Sequence, residues 1–297
     1  MSIQPVSFRL YARDFDGFAQ ALGESFERYG FAVVADHGLD PTLVAAADLS
    51  ARCFFALPEP VKRRYLIADG AGQRGYTPFG VETAKGEAHA DLKEFWHTGR
   101  AGNVWPGEIE GFHSAVGGLY AAFDSLGQRL LAAIASRLGL PREHFSGAVA
   151  DGESILRLLH YPPTHQPGPA IRAGAHEDIN AITLLLGAEE AGLELLDRDG
   201  RWLAVNPEPG SLVVNIGDML QRLTNHRLPS TTHRVVNPAP DRAGVARYSM
   251  PFFLHFAPDY LIETLPGCIG AAAPDRYPEA ITARAYLAER LAEIGLV

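Results

Sequence analysis

The region from about residue 154 to 255 constrains the fold most, because it contains a series of short β-type runs with no helical periodicity between them. These runs are separated by Gly, Pro, Asp and Asn, which break strands into short lengths. The predicted strands are Ser154–His160, Ala181–Leu186, Leu193–Leu196, Trp202–Val205, Ser211–Ile216, Thr231–Val236 and Ala246–His255. Short successive strands without crossover helices predict an antiparallel sandwich or barrel rather than a parallel α/β sheet.

Helical periodicity lies on either side of this β region. The segment Asp14–Tyr29 predicts an amphipathic helix that ends at Gly30 and is followed by a strand, Phe31–Val34. A longer helix is predicted over Ser114–Leu138, because its apolar residues recur every three or four positions. A C-terminal helix over Pro278–Ile294 is expected to pack outside the β unit. The sequence thus predicts a mainly β fold with flanking helices.

The composition of the chain argues against some classes of binding partner. The chain has 297 residues, with 26 Lys and Arg against 35 Asp and Glu, which gives a net charge of −9. This acidic balance argues against nucleic acid or an anionic membrane as the main partner. The two cysteines, Cys53 and Cys268, form neither a disulfide framework nor a thiolate metal site. With no apolar run of about 18 residues, we expect a cytoplasmic protein.

A candidate metal site begins at His176 and Asp178. In extended backbone, residues two apart point to the same face, so that one imidazole and one carboxylate can reach the same ion. A third ligand is available in the predicted strand that contains His233. Two histidines and one carboxylate on one face of an octahedron leave positions open for other ligands, which is the arrangement of non-haem Fe(II) oxygenases.

A second pair of residues points to an anion. Arg247 and Ser249 also lie two apart in a predicted strand, within a largely apolar run. A buried guanidinium needs a partner, and together with a hydroxyl it suits a ligand carboxylate. An internal salt bridge would explain Arg247 equally well on its own, but its combination with the three metal-ligand candidates favours a ligand.

The sequence resembles the isopenicillin N synthase-like family of Fe(II)/2-oxoglutarate-dependent oxygenases. The resemblance covers most of the chain. The segments that carry it are GFAVVADHGL (30–39), FFALPEPVK (54–62), GYTPFGVE (75–82), LRLLHYPP (156–163), HEDINAITLLL (176–186), PGSLVVNIGDMLQRLTNHRLPSTTHRVV (209–236) and RYSMPFF (247–253). It implies a double-stranded β-helix, a jelly-roll of the cupin-like type, within one compact domain. The implied regions are an N-terminal helix and strand region (1–110), buttressing helices (111–150), the jelly-roll core (151–260) and a C-terminal helical segment (261–297).

The same resemblance implies the site residues and their ligands. The family's metal ligands fall on His176, Asp178 and His233. Its RxS motif, which holds the distal carboxylate of 2-oxoglutarate, falls on Arg247 and Ser249. A further hydrogen bond to this cosubstrate is implied for Tyr161. The implied cofactors are Fe(II), 2-oxoglutarate and O₂, with ascorbate as reductant, and the implied reaction hydroxylates or desaturates a small organic substrate with release of succinate and CO₂.

Contacts to the substrate are less determined by the sequence. The candidates are His160, Phe252 and Phe253. The alternative for His160 is a hydrogen-bonded strand histidine without a substrate contact, and the alternative for the two phenylalanines is packing in the core. The segment 93–97 is expected to be a solvated edge with an aromatic anchor, although a cavity wall is the alternative. The segment 215–218 has polar residues that could be catalytic, but Gly217 and Asp218 are interpreted as a turn that ends the strand Ser211–Ile216.

Two other functions remain open at this point. Some members of the family with the same motifs do not consume 2-oxoglutarate, so the chain could be an Fe(II) oxidase that binds its substrate's carboxylate at Arg247. A non-catalytic, cupin-like metal or ligand-binding protein would have the same metal ligands, but it would have no need of the Arg247 and Ser249 pair. O₂-dependent formation of succinate separates the 2-oxoglutarate enzyme from the oxidase, and the absence of any uncoupled decarboxylation of 2-oxoglutarate would favour the binding protein.

Overall fold

The computed structural model describes residues 3–67, 73–83, 89–163, 170–186 and 191–293. The α-helices are α1 (Leu10–Arg13), α2 (Phe15–Tyr29), α3 (Pro41–Phe55), α4 (Glu59–Lys62), α5 (Phe112–Arg137), α6 (Ser146–Ala150), α7 (Asp218–Leu223) and α8 (Ala283–Glu293). Short 3₁₀ turns occur at Arg63–Tyr65, Pro240–Arg242 and Pro266–Cys268. Within these ranges, no helix is both long enough and apolar enough to cross a membrane.

The strands fall into a large sheet, a small sheet and a two-stranded ribbon. They are β1 (Pro5–Ser7), β2 (Phe31–Ala35), β3 (Gly75–Thr77), β4 (Glu94–Gly99), β5 (Ile155–Tyr161), β6 (Ala173–His176), β7 (Ile182–Leu186), β8 (Leu193–Leu196), β9 (Trp202–Ala204), β10 (Leu212–Ile216), β11 (His233–Val235), β12 (Arg247–Ser249), β13 (Pro251–Leu254), β14 (Leu261–Ile262) and β15 (Ile281–Thr282). The large sheet has the order β1-β2-β10-β7-β13-β5-β4-β3, with β12 also paired to β5. The small sheet has the order β6-β11-β8-β9, and β14 pairs with β15.

The two main sheets face each other around a small apolar cluster. This cluster takes Leu159 and Val213 from the large sheet and Ala173, Leu193 and Val235 from the small one. Neighbouring strands are antiparallel, apart from the parallel pair β1 and β2. The predicted jelly-roll with flanking helices is therefore confirmed.

The helices of the first 150 residues cover the outer face of the large sheet. The main apolar core lies there, between α2, α3 and α5 on one side and the even-numbered residues of β5 on the other. Helix α2 has the predicted extent: Asp14 caps its first turn by accepting a hydrogen bond from the Gly17 amide. Gly30 ends it in the left-handed conformation (φ 66°), which glycine adopts without a Cβ clash.

The sheet thus has a helix-facing side and a cavity-facing side, and side chains alternate between them. In β5, Leu156 and Leu158 pack towards the helices, whereas Arg157 and Leu159 face the small sheet. In β13, Phe252 faces the helices and Phe253 faces the interior. This alternation follows from the two-residue repeat of a strand, and it decides which predicted site residues reach the interior.

Three sequence expectations need correction. The predicted strand Ala246–His255 is divided at Met250: β12 pairs with the end of β5, whereas β13 lies between β5 and β7. Residues 94–99 form the buried strand β4 between β3 and β5 rather than a solvated edge. The C-terminal helix begins at Ala283 instead of Pro278, while its predicted last residue, Ile294, lies outside the described residues.

Candidate metal centre and adjoining cavities

The three predicted metal ligands converge at one end of the small sheet. His176 is the last residue of β6, and His233, the first of β11, lies directly opposite it in the antiparallel pairing. Asp178 follows two residues after His176, in the connection from β6 towards β7. One potential ligand atom from each side chain lies within 4.8 Å of the other two. Pairing between distant strands therefore creates the cluster that the sequence spacing indicated.

Hydrogen bonds orient both imidazoles. The Nδ1 atom of His176 lies 2.7 Å from the carbonyl oxygen of Gly174, and that of His233 lies 3.1 Å from the carbonyl oxygen of Thr231. A carbonyl accepts only, so both Nδ1 atoms carry the proton and both Nε2 atoms keep their lone pairs. These Nε2 atoms lie 3.8 and 3.9 Å from Oδ1 of Asp178. Three lone pairs thus point to a common position.

Asp178 is held by the large sheet. Its Oδ2 atom accepts hydrogen bonds from Thr183 Oγ1 on β7 at 2.5 Å and from Asn215 Nδ2 on β10 at 2.8 Å. These two donors occupy one carboxylate oxygen and leave Oδ1 for the cluster. The sequence predicts no such role for either residue, although it places Asn215 in a strand, as the structure does. Each of the two residues lies two positions from a neighbour on its strand, β7 or β10, whose side chain faces the interior. The two-residue repeat of a strand could therefore have identified both as interior-facing.

The protonation states favour a divalent cation. Burial, and secondarily the nearby His233, lower the pKa of His176 to about 4. Burial alone would raise the pKa of Asp178, but the two imidazoles and the hydrogen bonds from Thr183 and Asn215 hold it below its usual value. No Lys or Arg side chain among the described residues lies within 4 Å of this buried carboxylate. Two imidazole nitrogens and one buried carboxylate fit a divalent transition metal.

A small cavity of about 70 Å³ lies between the two sheets beside this cluster. Arg247, which is 3% exposed, lines it together with Ser249, and its Nη1 atom donates to Ser249 Oγ at 3.1 Å. Tyr161 lies opposite Arg247 in the strand pairing, and its ring centroid is 5.1 Å from the guanidinium carbon. The structure therefore brings the three predicted cosubstrate residues to one cavity that also contacts His176, Asp178 and His233.

A larger cavity of about 860 Å³ opens on the other side of the cluster. It shares His176, Asp178, Lys93, Arg157 and Phe253 with the small cavity. The two cavities therefore meet at the candidate metal centre. A molecule bound in either cavity can reach the metal ligands.

The wall of the large cavity contains a buried ionic network on β4 and β5. Lys93 Nζ lies 2.6 Å from Glu82 and 2.7 Å from Asp91. Arg157 donates from both terminal nitrogens to Glu82, at 3.2 and 3.3 Å, and from Nε to His97 at 2.5 Å. Although burial opposes ionisation, Arg157 and Lys93 lower the pKa of Glu82. This network corrects the expectation that residues 93–97 are a solvated edge.

The three predicted substrate contacts have different locations. Phe253 lines both cavities. Phe252 instead packs against Tyr120 and Phe123 of helix α5, with ring centroids 5.2 and 5.6 Å apart, and its exposure is 0%. Phe252 is therefore a core residue and not a cavity residue, because adjacent strand residues face opposite sides of the sheet.

His160 is also outside both cavities, for the same reason. It stacks between Phe55 and Tyr248, and its Nδ1 atom lies 2.7 Å from Oε1 of Glu94. The predicted substrate contact is thus replaced by the alternative of a hydrogen-bonded strand histidine. It belongs to the contact between the large sheet and helix α3.

The fold and the site define a jelly-roll protein with a mononuclear His-Asp-His centre and two cavities that meet there. Residues 152–256 match the family model described as the 2OG-Fe(II) oxygenase superfamily, where 2OG denotes 2-oxoglutarate. Residues 5–108 match the model described as the N-terminal region of a non-haem dioxygenase in morphine synthesis. The chain belongs to the 2OG-Fe(II) oxygenase superfamily.

Relatives and solved structures agree with this assignment. The chain is 32% identical over 282 residues to a 2-oxoglutarate-Fe(II) type oxidoreductase, hxnY, of Emericella nidulans, covering 87% of this chain and 80% of the relative. It is 61% identical to a 2OG-Fe(II) oxygenase family protein of Caulobacter crescentus, with a TM-score of 0.92 over 98% of this chain and 99% of that one. A Neurospora crassa protein crystallised with alpha-ketoglutarate and thymine is 29% identical, with a TM-score of 0.88 over 98% and 96% of the two chains. The chain is therefore an oxidoreductase of the 2-oxoglutarate-dependent type.

Proposed function

We propose that this enzyme hydroxylates or desaturates a small organic molecule bound in the large cavity, and that it converts 2-oxoglutarate held in the small cavity to succinate and CO₂. The observation that carries the proposal is the meeting of both cavities at His176 and Asp178. An oxygenase of this type needs cosubstrate and substrate on adjoining sides of one ion. A pure metal-binding protein has no need of a second cavity.

His176, Asp178 and His233 would hold the Fe(II), since their unshared lone pairs converge within 4.8 Å. Bound Fe(II) supplies the oxygen chemistry: with O₂ it couples oxidative loss of CO₂ from 2-oxoglutarate to two-electron oxidation of the substrate. The protein's contribution is to hold the ligands in their metal-binding protonation state. Gly174 and Thr231 do this through their carbonyl oxygens, and Asn215 and Thr183 do it at Asp178.

Arg247 and Ser249 would bind the distal carboxylate of 2-oxoglutarate. Arg247 is buried in the wall of the small cavity, its guanidinium adjoins the Ser249 hydroxyl, and the Tyr161 ring lies next to it. A carboxylate there gains two charge-assisted hydrogen bonds in a site largely closed to water. The remaining end of the cosubstrate is then directed towards the metal ligands.

The substrate side is supported by the composition of the large cavity and by the relatives. Phe253 and Phe95 provide aromatic surface next to the metal ligands. The Neurospora crassa protein binds thymine, and a 32% identical protein of Petromyces alliaceus is named a proline hydroxylase. Both names concern small molecules, so we infer a small organic substrate here as well.

The direct test is O₂-dependent formation of succinate from 2-oxoglutarate by protein supplied with Fe(II) and ascorbate. Uncoupled turnover without substrate is expected to be slow but measurable, and it should disappear when O₂ or Fe(II) is omitted. An Fe(II) oxidase of the same fold would consume O₂ without producing succinate. A binding protein would do neither, so the complete absence of succinate under these conditions would reject the proposal.

A further inference from the structure

The cations of the large cavity are already neutralised by the protein. In the described part of the chain, each positively charged side chain that lines this cavity lies within ion-pair distance of a carboxylate: Lys93 of Glu82 and Asp91, Arg157 of Glu82, Arg290 of Asp218 and Glu293, and Arg63 of Glu59. The guanidinium carbon of Arg157 also lies near two aromatic rings, 4.2 Å from the Phe95 centroid and 5.2 Å from the Phe253 centroid. The part of the wall that the structure describes therefore offers no uncommitted cation to an anionic substrate.

Hydrogen-bond acceptors, by contrast, are available on the same wall. His255 follows β13 with its ring in the cavity, and its Nδ1 atom lies 3.1 Å from the carbonyl oxygen of Phe253. Nδ1 must therefore carry the proton, which leaves the Nε2 lone pair without a partner in the described ranges. Burial lowers the pKa of His255 to about 4, so the ring stays neutral at physiological pH.

Glu177 provides the second acceptor. It lines the cavity between the metal ligands His176 and Asp178, and its Oε1 atom accepts a hydrogen bond from Thr232 at 2.8 Å. No Lys or Arg among the described residues forms an ion pair with it. Its other carboxylate oxygen has no hydrogen-bond partner among the described residues, and the Arg290 guanidinium acts on its charge from a greater distance.

The remaining charges of the site also disfavour an anionic substrate in the large cavity. With metal and cosubstrate bound as proposed above, the divalent cation and Arg247 balance Asp178 and the two carboxylates of 2-oxoglutarate. An additional anion from the substrate would be placed near metal and wall with no counterion, and burial of an unpaired charge is strongly unfavourable.

Resting on the proposed function, we infer that the large cavity selects a small, non-anionic substrate through its N–H donors, which bind His255 Nε2 and the Glu177 carboxylate. Amides, lactams and N–H heterocycles have this chemistry, whereas free carboxylates and phosphates are excluded. Phe95 and Phe253 then contact the apolar body of such a molecule. His255 and Glu177 are thus specificity residues and have no part in holding the metal.

The test uses a matched series of probes: benzamide, N,N-dimethylbenzamide and benzoate, with nicotinamide and nicotinate as a second pair. Binding at millimolar concentration is measured by NMR titration on protein loaded with Zn(II), which does not turn over, and saturated with 2-oxoglutarate. The primary amides should bind at least about tenfold more tightly than the dimethylamide or the carboxylates, because only they donate N–H groups.

Substitutions of the cavity residues test whether the preference for amides arises in the large cavity. Glu177→Gln and His255→Phe should each weaken benzamide binding about five- to tenfold, and His255→Gln, which keeps an acceptor, should restore much of it. Glu110→Gln and His144→Phe, at exposed positions outside the cavity, are the matched controls. Glu82→Gln should act in the opposite direction, because it removes the carboxylate partner of Arg157, while Lys93 keeps Asp91, and so lets benzoate bind.

Equal or tighter binding of the carboxylates in the wild type would overturn the inference, as would benzamide binding that is unaffected by Glu177→Gln and His255→Phe. Failure of every probe to bind at millimolar concentration would also contradict a cavity built to accept N–H donors. Titration of 2-oxoglutarate and the succinate assay on the same preparations report separately on the proposed function. Loss of either signal with amide selectivity intact would reject the function and leave the acceptor site standing.

Discussion

At the scale of single residues, the candidate site depends on which nitrogen or oxygen is already hydrogen-bonded. Each metal-ligand candidate uses one polar atom for the protein and leaves another for the ion: Nδ1 against Nε2 in His176 and His233, and Oδ2 against Oδ1 in Asp178. Outer hydrogen bonds of this kind orient ligands and fix their tautomers. The geometry is therefore set before an ion binds.

Replacing any one of His176, Asp178 or His233 by Ala should abolish succinate formation and leave the fold intact, since one of only three protein ligands is lost. Turnover and bound iron are measured together, with circular dichroism as the check on folding. Wild-type iron content and turnover in all three variants would reject the assignment. Zinc or nickel in purified protein would not, because affinity at such ligands follows the Irving–Williams order.

Arg247→Ala should weaken 2-oxoglutarate binding at least about 30-fold, because loss of one partner of a buried charge pair costs roughly 2–5 kcal/mol. Ser249→Ala should cost about 1 kcal/mol, since it removes one hydrogen bond from a carboxylate that Arg247 still neutralises. Isothermal titration on the metal-loaded protein measures both. Pyruvate, which lacks the distal carboxylate, is the control ligand, and its weak binding should be insensitive to Arg247→Ala. Equal affinity for 2-oxoglutarate in Arg247→Ala and wild type would instead favour the oxidase hypothesis.

At the scale of elements, strand alternation explains which predictions from the sequence succeeded. The spacings His176 to Asp178 and Arg247 to Ser249 place each pair on one face, so these residues could be identified without coordinates. The same rule, applied to β5, places Tyr161 inside and His160 outside. The substrate role predicted for His160 was therefore inconsistent with the one predicted for Tyr161.

Other parts of the site could not be predicted, because they depend on contacts between distant segments. Strand β4 supplies the cavity wall only through its pairing with β5, about 60 residues later. Asn215 and Thr183 meet Asp178 only once two strands of the large sheet are paired. Local composition carries no information on such pairings and by itself favours a solvated edge for residues 93–97.

Adjacent residues of β13 provide a matched test of this alternation. Phe252→Ala should lower the free energy of unfolding by about 3–5 kcal/mol, since it opens a hole in the closely packed core beside Tyr120 and Phe123. Phe253→Ala should have a much smaller effect, because its ring already borders empty space. Urea denaturation of both variants measures the difference, and comparable losses would contradict the assignment of the two faces.

Helix α8 closes one side of the large cavity, where Leu287, Arg290 and Leu291 contribute to its lining. Two backbone hydrogen bonds hold its first residues, and further along it is attached by the ion pair between Arg290 and the buried Asp218 of α7, at 2.9 Å. Helix α8 is therefore part of the cavity, and the expectation that it only packs outside the β unit was incomplete.

Arg290→Ala should loosen helix α8, because it leaves the carboxylate of Asp218 buried without a counterion. Amide hydrogen exchange in residues 283–293 should accelerate at least about tenfold, which corresponds to roughly 1.4 kcal/mol of local stability. Arg284→Ala is the control on the same helix, since its weak contact to Asp259 at 3.7 Å is exposed. Identical exchange in the two variants would show that the Asp218 ion pair does not hold the helix.

At the scale of the whole molecule, the N-terminal third is integral to the oxygenase core. Residues 5–99 contribute β1 to β4 to the large sheet, and Lys93 on the approach to β4 lines both cavities. The apolar core between helices and sheet is likewise shared between early and late segments. We therefore expect the whole chain to fold as one unit.

Removal of the metal should lower the thermal midpoint, because an ion bound only by the folded state adds its binding free energy to stability. At a free metal concentration 100 times the dissociation constant, the increment is about 2.7 kcal/mol. Calorimetry with and without a chelator measures it. Asp178→Ala is the control, and its midpoint should not respond to metal. A wild-type midpoint independent of metal would contradict the site.

The hydrogen bonds of Asp178 have a consequence for how much of the protein a cell retains. One oxygen of this carboxylate is fixed to the large sheet, and the other faces the two histidines of the small sheet. A bound ion therefore links the large sheet to the small sheet. It does so through ligands, Asp178 and His233, that lie about 55 residues apart in the chain. Newly made chains that lack metal open more often and are exposed longer to proteases. Iron supply would then set the abundance of this enzyme as well as its activity.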